Sequence, residues 1–120
     1  MDNCVCKELA PHHKDFKIPE GLSLLGRQAA VAILAHVTRK DPKASGGGCR
    51  AFYTPEEWKE RGEKYGTTSV LVICHDGGDM CPYFSLDYGW EMAEGMNDVL
   101  RELGLYAEAC TGWYTAIYPE

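Results

Sequence analysis

Hydrophobic and polar positions alternate between two periods along the chain, and the switches mark its elements. From Leu22 to Arg39 the period is helical: Leu22, Leu25, Ala29, Ala32, Ile33 and His36 share one face, and Ser23 stands at the N-cap position. Leu24, Val31, Leu34 and Val37 widen the apolar stripe, so this helix is expected to be substantially buried, with His36 as a hydrogen-bonded core histidine. Lys40 to Gly48, KDPKASGGG, breaks the pattern with Pro42 and a run of glycines, and reads as a Gly-rich loop over 40–49. It lacks the Gly-Lys-Ser/Thr ending of a P-loop, so phosphate cradling is not expected there.

Arg50 to Tyr53 predicts a short strand, and Thr54-Pro55-Glu56-Glu57 predicts a helix start: Thr54 caps, Pro55 takes the first helical position and Glu57 closes a capping box. That helix is expected to run to about Tyr65 and stop at Gly66, with Trp58 and Tyr65 as its apolar face. Val70 to Cys74 then forms an unbroken β-favouring run, the pattern of a strand covered on both faces. The Gly77-Gly78 pair predicts a two-residue hairpin that returns Met80 to Phe84 beside Val70 to His75, with Asp76 opposite Asp79, His75 opposite Met80 and Cys74 opposite Cys81.

A third helix is expected from Ser85 or Asp87 to about Leu103, ended by Gly104, with Leu86, Trp90, Ala93, Met96, Val99, Leu100 and Leu103 facing inward. Leu105 to Glu120 predicts a final hairpin with Thr111-Gly112 at its tip. In that register Leu105, Ala107 and Ala109 share a face with Tyr118, Ala116 and Tyr114, and Tyr106, Glu108 and Cys110 share the other with Ile117, Thr115 and Trp113. One of these faces is left uncovered by the helices. The sum is one α+β domain over residues 21–120, a small, mainly antiparallel sheet of about four or five strands with three helices packed against it, preceded by a mobile N-terminal tail over 1–20.

Composition narrows the function. The chain has 120 residues and a net charge of −6 with no basic stripe, which argues against nucleic acid as a partner. The longest apolar run, Ala29 to Ala35, is far short of the roughly 20 residues of a membrane span, so no membrane insertion is expected. Met1 to Asp15 is polar with no apolar core of a secretory leader, and the cysteines at 4, 6, 49, 74, 81 and 110 are irregularly spaced. Reduced thiols and a cytoplasmic location are therefore expected.

Two stretches carry candidate chemistry. His75, Asp76 and Asp79 crowd ionisable groups around two glycines; facing aspartates repel unless a cation separates them, so a divalent metal is the one cofactor the sequence suggests. With metal, the loop becomes a small hydrolase site; without it, the aspartates are a solvated turn. Cys4 and Cys6 with His12 and His13 are soft ligands, though one residue between the cysteines is fewer than a structural zinc knuckle uses. The second stretch is the last hairpin, where Tyr106, Glu108, Trp113 and Ile117 form a candidate partner or ligand surface. From Phe84 onward, the order strand, helix, strand, strand and the ending GWYTAIYP resembles the C-terminal half of small bacterial antitoxins that protect cytoskeletal filaments. The resemblance covers about a third of the chain and transfers no residue role. The leading expectation is a small acidic accessory protein of bacterial or mobile-element type that binds a protein partner or itself, without catalysis. The alternatives are the metal-dependent hydrolase and a sensor of a small ligand.

Overall fold

The computed structural model describes residues 18–41, 51–75, 80–84 and 90–120. The N-terminal Cys4, Cys6, His12 and His13, the Gly-rich loop and the Asp76–Asp79 turn lie outside them. The elements in chain order are α1 (Leu24–Lys40), β1 (Phe52–Tyr53), α2 (Pro55–Glu60), β2 (Leu71–Cys74), α3 (Cys81–Phe84), α4 (Trp90–Arg101), β3 (Leu105–Ala109) and β4 (Tyr114–Pro119). The four strands form one antiparallel sheet in the order β1-β2-β4-β3, so the α+β architecture expected from the pattern is the one observed.

Local signals explain where the helices begin and end. Ser23 caps α1, its hydroxyl accepting from the Gly26 N–H at 3.0 Å. The capping box of α2 is complete: the Thr54 hydroxyl accepts from Glu57 N–H at 3.0 Å and the Glu57 carboxylate accepts from Thr54 N–H at 2.9 Å. α2 is shorter than expected, because Gly62 (φ 85°), not Gly66, ends it. Gly62 N–H donates to Lys59 and Glu63 N–H to Trp58, the two bonds of a Schellman cap, and Tyr65 lies beyond the helix and exposed.

β2 sits between β1 and β4, and its alternation divides the core. Leu71 and Ile73 face α1 and α4, meeting Ala29, Ala30, Ile33, Val37, Met96, Leu100, Leu105 and Ile117. Val72 faces the other way, onto Trp58 and Tyr114, with Tyr53, Cys74, Cys110 and Trp113 packed around them. Both faces of the strand are therefore dry, as its unbroken apolar run requires. Ile18 and Pro19, expected at the end of the tail, are packed down, Ile18 against the helix-side core.

Four expectations are corrected here. Met80 to Phe84 does not return as a strand beside β2: β1 and β4 occupy both edges of β2, and Cys81–Phe84, which contains Pro82, is a short helix. The layout from Phe84 onward is thus helix, strand, strand, without the leading strand of the resemblance. Trp90 is not an inward residue but 61 % exposed at the start of α4. The last hairpin exists, with its register displaced by one: Leu105 pairs with Pro119, Tyr106 with Tyr118, Ala107 with Ile117, Glu108 with Ala116 and Ala109 with Thr115. The tip spans Thr111 to Trp113 because the Thr111 hydroxyl accepts from both the Trp113 and Tyr114 N–H groups, at 3.2 and 3.3 Å. A slip of one residue sends every side chain of β4 to the opposite face relative to β3.

Candidate functional site

The two candidate stretches meet different fates. His75 follows β2 and turns toward the helix side of the sheet, where it is buried. Its Nε2 lies 2.9 Å from Thr115 Oγ1, and its ring stacks on Phe84 at 5.8 Å. Cys74 faces the opposite side, with Trp58 and Tyr114, so alternation separates the adjacent thiol and imidazole and no nucleophile–base pair forms between them. Asp76 and Asp79 lie outside the described residues. Among the described residues, no group of at least 3 His, Cys, Asp or Glu side chains is gathered closely enough to hold a metal ion.

The displaced register rebuilds the surface of the last hairpin. Tyr106 and Glu108 do share a face, but their companions are Tyr118, Ala116 and, beyond the strand end, Cys110 and Tyr114. Tyr106 is 43 % exposed and stacks on Tyr118 at 5.8 Å with the planes 27° apart. Ile117, expected beside them, is fully buried on the helix side. Trp113 is half-buried at the tip and belongs to a second aromatic group: it lies 5.7 Å from Trp58 and 4.7 Å from Tyr114. Arg61 covers that group, its guanidinium 4.5 Å from the Trp58 ring centroid while pairing with Glu63 at 3.3 Å. The Trp58 group is closed off by the chain's own cation, and the Tyr106–Tyr118 pair is left open.

Beside the open pair is a cleft of about 320 Å³. One wall is the segment Lys64–Thr68, which crosses this face of the sheet on Gly66 (φ 86°), and the other is Glu108, Ala109, Cys110 and Tyr118. Glycine suits the position because its backbone is one that L side chains rarely adopt; a Cβ there would meet Ala116 and Val72 only at ordinary contact distances of 3.4 and 3.5 Å. Lys64 and Glu108 line the same cleft without an ion pair between them.

Two groups of the cleft, the Cys110 thiol and the Tyr118 phenol, are shifted toward their neutral forms. Burial pushes the Cys110 thiol up, the neighbouring Glu108 carboxylate adds to the shift, and a backbone hydrogen bond at Ala116 opposes it. Burial likewise raises the Tyr118 phenol, against a hydrogen bond from Thr68 and with help from Cys110, Glu108 and Tyr106. A thiol raised in this way is a poor nucleophile at neutral pH. The sequence leaves Tyr118 exposed only as the alternative to Tyr106, on the opposite hairpin face, and Cys110 and Lys64–Thr68 carry no site signal of their own. A three-residue tip would have placed Tyr118 beside Tyr106; nothing local points from residue 64 to residue 108.

No protein family, curated protein or solved structure matches this chain.

Proposed function

We propose that the protein is a small cytoplasmic accessory protein that acts by binding a protein partner, without catalysis, through the β3–β4 face carrying Tyr106, Glu108 and Tyr118. The observation that supports this reading most directly is the stacked Tyr106–Tyr118 pair, exposed on a strand surface while the other large aromatic group of that sheet face is sealed under Arg61. Tyrosine supplies broad contact area at low entropic cost, and it is enriched where one protein rests on another. Glu108 adds a carboxylate without an internal ion pair, which a basic side chain of the partner can meet at the rim. The acidic charge of the whole chain favours the same kind of partner.

The test is capture of partners on the tagged full chain in cells that make the protein, comparing wild type with Tyr106→Ala. A partner recovered by wild type and reduced about tenfold or more by the substitution is the expected result, as for truncation of an aromatic hot spot. An unchanged set of captured proteins refutes the assignment of the face.

A further inference from the structure

The sheet has two edges, β1 and β3, and among the described residues they differ in how they are protected. β1 is a two-residue strand, too short to template much pairing. β3 has five residues, LYAEA, with no lysine, no proline and no bulge in its register, and among the described residues it has a neighbour on one side only. These are the devices with which monomeric proteins guard an edge.

The main-chain bonds around β3 fix which groups face outward. Cys110 N–H donates to Tyr114 O and Glu120 N–H to Gly104 O, so the even-numbered residues of β3 are the ones that exchange bonds with β4. On the other side of β4, His75 N–H donates to Trp113 O, which puts the odd-numbered residues of β4 in register with β2. The amides and carbonyls of Leu105, Ala107 and Ala109 therefore point away from the sheet.

We propose that this edge pairs with a second copy of itself, β3 against β3 antiparallel about a two-fold axis at Ala107. In that register Ala107 meets Ala107 and Leu105 meets Ala109, so every outward-facing residue meets an outward-facing residue and each pair exchanges both of its hydrogen bonds. A shift by one would oppose outward groups to inward ones and form no ladder. The side chains agree with the same register. Glu108, the only charge on the strand, falls opposite Tyr106 rather than opposite its own copy, so no like charges face each other. A small residue stands at the axis, so no bulky side chain meets its own copy there. The interface is isologous and closes as a dimer instead of growing into a fibre. The Tyr106–Tyr118 stacks of the two copies come onto one continuous sheet face, so the dimer presents the proposed partner surface twice. The pairing itself uses the strand edge and stands whether or not that face binds anything.

The experiment uses the full chain. Size-exclusion chromatography with light scattering, from about 10 µM to about 1 mM, reads the mass across the range in which a weak interface becomes populated. Wild type is expected to reach twice the monomer mass, and Ala107→Pro to remain at the monomer mass with an unchanged circular-dichroism spectrum, since the proline removes only an outward N–H. Because a proline can disturb folding, a second variant reads the register directly. In Ala107→Cys the two thiols sit on residues about 5.5 Å apart between Cα atoms, a separation a disulfide spans. Mild oxidation should give a 107–107 cross-link identified by peptide mass spectrometry, and Glu108→Cys should not give the corresponding 108–108 link. Monomer mass at the highest concentration overturns the proposal and leaves the edge to a strand of another protein. So does a dimer that forms no 107–107 link on oxidation. Partner capture lost in Tyr106→Ala but kept in Ala107→Pro separates the face from the edge.

Discussion

Replacing Gly26 by alanine pits two effects of known size against each other. In a helix the substitution normally stabilises, by at most about 1 kcal/mol, because glycine loses more backbone freedom on folding. Here the added Cβ would fall inside 3.0 Å of the Val70 carbonyl oxygen and 3.3 Å from both its carbonyl carbon and Ser23 Oγ. The obstructing group is main chain leading into β2, held by Val70 N–H donating to Ile117 O at 2.9 Å, so no rotamer change relieves the contact. α1 has to lift from the sheet, and with it Ala29, Ala30, Ile33 and Val37. Overpacking typically costs about 1–3 kcal/mol, and a rigid obstacle puts this site at the upper end. The net expectation is a loss of about 2 kcal/mol. For a domain of this length each kcal/mol moves the midpoint by about 4 °C, so Tm should fall by about 8 °C. Urea and thermal melts followed by tryptophan fluorescence measure both quantities, the urea slope checking that unfolding stays two-state. Gly104→Ala is the internal control: its φ of 74° penalises a side chain, but nothing lies within 4 Å of the new Cβ, so it should cost only about 1 kcal/mol. A Gly26→Ala protein as stable as wild type, or less affected than Gly104→Ala, would refute the close approach of α1 to Val70.

Two further outcomes follow from buried ionisable groups. Burial holds His36 below its ordinary value of 6.5, and the nearby Arg39 and Lys40 push it the same way. The folded state then binds fewer protons than the unfolded one, so stability is complete above about pH 6.5 and declines as pH falls from there toward the folded value. Urea melts at pH 7.5 and 5.5 should show that decline, and His36→Leu should reduce it; equal slopes in the two proteins would remove His36 as the cause. Cys110 should react with iodoacetamide at pH 7.5 more slowly in the folded than in the denatured protein, since its thiol is raised first by burial and then by Glu108. Glu108→Gln should speed the folded reaction without restoring the denatured rate, and a folded rate equal to the denatured one would contradict the placement of the thiol.

Much of this architecture could be read from short stretches, where the deciding forces are local. The Ser23 cap and the Thr54–Glu57 box involve groups three residues apart, and the Val70–Cys74 run states its double-sided burial in its own composition. What misled were competitions settled far along the chain. Gly77-Gly78 is a sound hairpin signal, but β2 satisfies its two edges with Phe52–Tyr53 and Tyr114–Ile117, leaving no ladder for a local return strand. In the final hairpin a single hydroxyl, that of Thr111, adds a residue to the tip and exchanges Ile117 for Tyr118 on the exposed face. Gly66 looked like a helix stop; its left-handed backbone instead lets the chain pass close over Val72 and Ala116. Trp90 satisfies the helical period of α4 without meeting any core, since amphipathic spacing says which residues are aligned and not how far the covered surface extends.

The strand order also constrains when folding can happen. β4 is the last of the four strands in sequence, yet it lies between β2 and β3 and supplies a full ladder to each. During synthesis α1, β1, α2 and β2 emerge with one side of Leu71–Cys74 still unpaired, and no segment before Tyr114 can complete it. The most apolar strand of the protein is exposed at one edge until residue 119 has cleared the ribosome. Nascent chains of this protein are therefore at their stickiest just before β4 emerges, and a ribosome stalled in the β3–β4 turn would release a species prone to aggregate, a natural client for holdase chaperones.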